Sequence, residues 1–176
     1  MKRVALVLIA ALAMLAFQAT SAASVATDGG SVSVARTDGP LVLEAGDVPG
    51  VSAETDELLI DTAHGTAAGV APSARYTYGA TGNPTGAPAF TLRNAAGEAH
   101  RLTIEYTGSD TEDPDENVQF RVFGSEGTRL ATASEESGPV TLEVEGNDRL
   151  YVVVVIDTHG LTPVTDLSGS LRLVLA

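Results

Sequence analysis

Much of the chain alternates between apolar and polar residues with a period of two. The alternation is clearest in residues 100–106, where Leu102, Ile104 and Tyr106 fall on one side and Arg101 and Thr103 on the other. Similar short runs occupy residues 31–35, 41–44, 89–93, 118–123, 140–145 and 170–176, and residues 58–61 form a short apolar piece. A period of two is typical of antiparallel strands with one buried face. The pattern therefore predicts a protein built from sheets.

Residues 151–156 differ from the other runs because all six, YVVVVI, are apolar. Such a run predicts a strand covered on both faces, and its valines disfavour a buried helix. Turn residues separate the runs, and no segment has a long helical period. Residues 62–88, rich in Gly, Ala, Pro and Thr, predict a long loop with a short strand at residues 75–78. We expect an all-β fold, an antiparallel β-sandwich with a jelly-roll-like arrangement.

The N-terminus has the parts of an export signal. Lys2 and Arg3 precede an uncharged apolar run at residues 4–17, and small residues lead to Ala22, where we predict cleavage. An uncleaved membrane anchor is the alternative, because small residues through Ala26 extend the apolar stretch. The predicted organisation is a signal peptide at residues 1–22, a flexible N-terminal segment at 23–38 and a β-sandwich domain at 39–176.

The charge balance is strongly acidic. The chain has 10 Lys and Arg against 23 Asp and Glu, and Lys2 is its only lysine. Removing Lys2 and Arg3 with the signal leaves eight arginines against those acids, a balance of −15. A carboxylate surface without lysine predicts a protein that works in concentrated salt, where repulsion is screened; an ordinary acidic secreted domain is the alternative. The balance argues against a nucleic-acid partner, which needs a basic face. The absence of cysteine excludes disulfides and thiolate chemistry.

An acidic stretch between two predicted strands is the one candidate metal site. Carboxylate oxygens are the ligands that calcium prefers, but the spacing is not that of an EF-hand loop. A solvated loop is the alternative, and no other cofactor is predicted. The candidate ligands are Asp110, Glu112, Asp113, Asp115 and Glu116.

No catalytic constellation stands out. His64, His100 and His159 are scattered, and there is no Gly-x-Ser-x-Gly elbow. Aromatic residues make up only 5% of the chain, with no tryptophan to stack a sugar ring. We therefore predict that the protein is not an enzyme.

The first predicted strand is a candidate assembly element, because it follows a glycine pair at residues 29–30 that could act as a hinge. In a single molecule we expect the strand to pair within its own sheet; in an assembly it could pair with a neighbour's open edge. Its residues are Ser31, Val32, Ser33, Val34 and Ala35.

Several short segments resemble a family of exported haloarchaeal proteins of uncharacterised function, which join a signal peptide to a strand-rich domain with a Phe-x-x-x-Asn element. The segments are residues 39–44 (GPLVLE), 57–61 (ELLID), 69–75 (GVAPSAR), 89–94 (AFTLRN), 155–160 (VIDTHG) and 171–176 (LRLVLA). That family is similar in turn to the TasA/camelysin class of biofilm-fibre proteins and to archaeal bundling pilins. The acidic stretch at residues 110–116 has no counterpart in it.

The resemblance implies a jelly-roll-like sandwich on the cell surface or in the matrix that polymerises by donor strand, and it carries over no catalytic residue. We therefore expect a secreted or cell-surface structural protein of a halophile, a matrix or pilus-like fibre subunit whose partners are copies of itself. The alternative is a secreted binding module for calcium or glycan without catalysis. No integral membrane span is expected in the mature protein.

Overall fold

The structure, a computed structural model, describes residues 31–36, 40–54, 57–61, 73–108, 117–161 and 167–176. Within these ranges the chain forms twelve strands and no helix. The strands are β1 (Ser31–Arg36), β2 (Leu41–Ala45), β3 (Val51–Glu54), β4 (Glu57–Asp61), β5 (Arg75–Tyr78), β6 (Phe90–Asn94), β7 (His100–Gly108), β8 (Val118–Phe123), β9 (Arg129–Ala133), β10 (Val140–Val144), β11 (Arg149–Asp157) and β12 (Gly169–Leu175). The predicted signal peptide lies outside the described residues.

The strands form two sheets that face each other. The first has the order β10-β7-β12-β1-β4-β3, and all its pairs are antiparallel except β1 and β12, which run parallel. The second has the order β2-β6-β11-β8-β9, with β5 also paired to β11. The all-β sandwich predicted from the period of two is confirmed. Its jelly-roll-like arrangement stays a prediction.

The core lies between the sheets, where the apolar side chains of each alternating strand point inward. Leu102 and Ile104 of β7 and Leu173 of β12 are at most 1% exposed, as their positions in the pattern predict. Tyr106 of the first sheet meets Phe120 of the second with ring centroids 5.1 Å apart and the planes tilted by 48°. This tilted contact joins the two halves of the core.

The apolar run in β11 is covered on both faces, as predicted. Leu150, Val152, Val154 and Ile156 belong to the core, whereas Val153 faces outward and is still fully buried. Val155 and Phe123 share the outer side with Val153 and are also buried.

The segment between β5 and β6 explains the burial on the outer face. It leaves at Gly79 and returns at Pro88, which form an antiparallel bridge. Pro84 is buried, and a Cβ built on Gly127 in the β8–β9 turn would lie 3.8 Å from Pro84 Cγ. Because the core fills the inner side, we infer that the segment crosses the outer face to reach that turn. Gly79 has a φ of +87° and no room for a Cβ beside Ala89, so the departure point requires glycine.

Two strands were not predicted, β3 and β9. In β9 the inward positions are the small residues Ala131 and Ala133, and its large apolar residue, Leu130, is 49% exposed. β3 is a four-residue edge strand with a single large apolar residue. The strand predicted at residues 75–78 is confirmed as β5. Residues 62–72 of the predicted loop lie outside the described residues.

Candidate functional site

The predicted assembly residues, 31–35, lie in β1 in the interior of the first sheet. β1 pairs with β12 on one side and with β4 on the other. Val32 and Val34 are both 0% exposed, so the strand contributes directly to the core. Pairing within its own sheet is the arrangement expected for a single molecule. Whether neighbouring copies exchange the strand stays a prediction.

The slot that holds β1 is defined by the register of its neighbours. Val34 is the Cα partner of Leu171 in β12 and of Leu58 in β4. Val32 lies opposite Gly169, where a Cβ would come within 2.4 Å of the Tyr106 hydroxyl oxygen. The slot is therefore lined by two leucines beside Val34 and narrowed by Tyr106 beside Val32.

β1 also attaches the edge of the first sheet to its centre. In that sheet β4 pairs only with β1 and β3, and β3 pairs only with β4. Withdrawing β1 would leave unpaired backbone groups along β12 and β4, which is costly in a buried position. The chain then continues through residues 37–40 to β2 in the other sheet.

The last residue of the Phe-x-x-x-Asn element, Asn94, joins two turns at one end of the sandwich. Its side chain is fully buried at the end of β6. The Nδ2 group donates to the carbonyl oxygens of Glu98 (2.8 Å), Val144 (3.1 Å) and Glu145 (3.2 Å), while Oδ1 accepts from the Ala96 backbone amide (3.0 Å). One side chain thus ties the β6–β7 turn to the β10–β11 turn. We infer that this element has a structural role.

Polar contacts at the β5 end of the second sheet are also structural. The Tyr78 hydroxyl donates to the Asp61 carbonyl oxygen at 2.9 Å and so links β5 to β4 across the sandwich. Burial, together with the charge of Asp61, raises the pKa of Tyr78 to about 12. Hydrogen bonds from the side chain and backbone of His159 hold the pKa of Asp157 below its usual value.

The candidate calcium ligands, Asp110, Glu112, Asp113, Asp115 and Glu116, lie outside the described residues. Across the part of the chain that the structure describes, no three His, Asp or Glu side chains are grouped so that they could hold a metal ion. Calcium binding by the acidic stretch stays a prediction.

The histidines that the structure describes contact carboxylates at the surface. His100 Nε2 lies 3.8 Å from Glu98 Oε1, and His159 Nδ1 lies 2.6 Å from Asp157 Oδ1. Exposed pairs of this kind contribute little to stability. The prediction that the protein is not an enzyme stays a prediction.

The arginines are distributed in space in a way that the sequence alone did not predict. By strand register, five arginines share the outer face of the second sheet: Arg75 of β5, Arg93 of β6, Arg121 of β8, Arg129 of β9 and Arg149 of β11. We call this surface the arginine face. Each of these arginines occupies a polar position in its strand. Strand register places Arg93 directly opposite Arg149, whereas Arg121 lies opposite Val153 and Arg75 opposite Asp157, further along β11.

No protein-family model and no curated protein sequence matches the chain. Among the described residues no helix is long and apolar enough to cross a membrane.

Proposed function

We propose that this chain is a secreted or cell-surface structural protein, a fibre subunit whose copies assemble by donating β1 to one another. The observation that carries the proposal is the position of β1: it is the first described strand, and it fills an interior slot between β12 and β4. An acidic balance without lysine after residue 2 supports an extracellular setting in concentrated salt.

Exchange of β1 between copies would preserve every contact that the strand makes. A neighbour's β1 would present the same backbone groups to β12 and β4 and the same two valines to the core, as in domain swapping. Burying each valine contributes about 1.5–3 kcal/mol in transfer terms, before the cost of ordering the segment. The exchange is therefore close to neutral in contact energy and gains from concentration and from linkage along a fibre.

The connection from β1 to β2 sets how neighbours would approach each other. Since the domain follows β1, residues 37–40 would have to change direction for the strand to reach another copy. Four extended residues span at most about 14 Å. Donation through so short a link would bring adjacent domains into direct contact, which favours a compact fibre over a loosely connected chain.

Deletion of residues 24–35 tests the proposal. We expect the shortened mature protein to stop polymerising and to bind an added peptide that covers residues 24–36. A peptide with Val34→Asp should not bind, because the carboxylate would enter the core, whereas Ser33→Asp should be tolerated because Ser33 lies on the outer side of the strand. Filaments from the deleted form equal to those of the full chain would refute the proposal.

A further inference from the structure

The arginine face carries a positive surplus on a strongly negative chain. Its five arginines share the outer surface with only two acids of the same register rows, Glu44 and Asp157. Over the whole chain acids outnumber Lys and Arg by 23 to 10. The face is therefore opposite in sign to the protein as a whole.

Both acids on this face are already engaged. Glu44 Oε2 lies 3.2 Å from Arg149 Nη2 and also accepts from the Thr91 hydroxyl at 3.4 Å. Asp157 is held by His159 and lies 3.8 Å from Arg75 Nε. Neither acid forms an ion pair with Arg93, which makes none with any other described residue.

Two of the arginines lie directly opposite each other. Arg93 and Arg149 are Cα partners in the antiparallel pair of β6 and β11. Like charges in this position destabilise a sheet. Of this pair only Arg149 has an ion-pair partner among the described residues, Glu44, so carboxylates from outside would relieve the repulsion between the two arginines.

The carboxylates that fit are present on another copy of the same chain. The β6–β7 and β10–β11 turns lie together at one end of the sandwich and carry Glu98, Glu145 and Asp148, all exposed. Among the described residues, only Glu98 of these three has a basic side chain within 4 Å, His100, whose Nε2 lies 3.8 Å from Glu98 Oε1. The four hydrogen bonds of Asn94 hold the backbone of both turns, so the chain that carries these carboxylates is ordered before any contact forms.

We propose that the arginine face binds a second copy of this chain through the carboxylates of these two turns. Guanidinium groups form paired hydrogen bonds with carboxylates, which suits a contact that must hold where salt screens longer-range attraction. The contact does not use β1, so it is independent of strand donation and would add a second way for copies to associate.

Sedimentation equilibrium of the mature chain tests this contact at one salt concentration where circular dichroism shows every variant folded. We expect Arg93→Gln with Arg149→Gln to raise the dissociation constant for self-association about tenfold to a hundredfold. The control is Arg101→Gln with Arg172→Gln, the same charge change on the outer face of the first sheet. This control should leave the dissociation constant within about twofold of the parent value.

A charge exchange identifies the partner surface. One variant carries Arg93→Glu and Arg149→Glu, and the other carries Glu98→Arg, Glu145→Arg and Asp148→Arg. Each should fail to self-associate at this contact, and their mixture should associate. The proposal would be overturned by a monomeric parent chain, by equal weakening from the control pair, or by no association in the mixture. It would also be overturned if the chain does not self-associate but its arginine face binds a polyglutamate or heparin probe.

Discussion

Replacing Asn94 with alanine should destabilise the whole sandwich, although Asn94 is a single polar residue near a sheet end. The substitution removes two N–H donors shared among three carbonyl oxygens and one acceptor for the Ala96 amide. At about 0.5–1.5 kcal/mol for each donor or acceptor, with an added cost for carbonyl groups left buried, the loss comes to about 2–4 kcal/mol. That is a large share of the usual 5–15 kcal/mol of folding stability.

Thermal and denaturant unfolding would measure this loss. A change of that size should lower the melting temperature by about 4–16 °C in a domain of this length. Asn147→Gly is the matched control: Asn147 lies in the neighbouring turn, is exposed and has a φ of +67°, which glycine adopts freely. The control should change stability by no more than about 0.5 kcal/mol.

Asn94→Asp gives a second, independent test of the same contacts. The new carboxylate would face three carbonyl oxygens in a buried position, so its folded-state pKa would be raised and its neutral form favoured. Relative to the parent chain, the variant should be most destabilised at neutral pH and should recover part of the difference as the pH falls through the raised folded pKa towards the unfolded value of about 4. Parent-like melting of Asn94→Ala, or a pH-independent difference for Asn94→Asp, would refute the reasoning.

Three further predictions concern stability and processing. Tyr78→Phe should cost about 1 kcal/mol of folding stability at neutral pH, because it removes the hydrogen bond to the Asp61 carbonyl oxygen. Since the folded pKa of Tyr78 is raised from 10.0 to about 12, denaturant titrations should show the parent losing more stability than the variant as the pH rises from 9 to 12. Equal losses in the two proteins would contradict this. The mature domain should melt at a higher temperature in molar potassium chloride than in dilute buffer, because the Debye length falls from about 10 Å at 0.1 M to about 3 Å; an unchanged midpoint would indicate an ordinary acidic domain. N-terminal sequencing of secreted protein should begin at Ala23 or Ser24, and Met1 on membrane-bound protein would contradict signal cleavage.

The fold was largely predictable because large apolar residues mark the inner face of most strands. The apolar run in β11 predicted burial on both faces, and we infer that the segment around Pro84 covers the outer face. The pattern failed at β9, where Ala131 and Ala133 face inward and Leu130 faces solvent. Small inward residues produce a weak alternation of hydrophobicity, so no period stands out.

The surfaces were harder to predict because they depend on register between distant strands. Arg93 and Arg149 are 56 positions apart in sequence, and only the pairing of β6 with β11 makes them neighbours. The same holds for Asn94, whose carbonyl partner on Val144 comes from another strand of the opposite sheet. In contrast, β1 was predictable from its own alternation, although its interior position between β12 and β4 was not.

The exchange of β1 between copies can be tested directly because the chain contains no cysteine. Ser33→Cys with Ser170→Cys places two thiols at paired positions of β1 and β12. Thr107→Cys with Ser170→Cys, at paired positions of β7 and β12, is a control whose partners both belong to the domain body. Adjacent paired strands bring Cα atoms within disulfide range. After oxidation of assembled material, a denaturing gel without reductant should show a ladder of covalent multimers for the β1–β12 pair and monomers for the control. Monomers alone from both would show that each copy keeps its own β1, and would contradict the account.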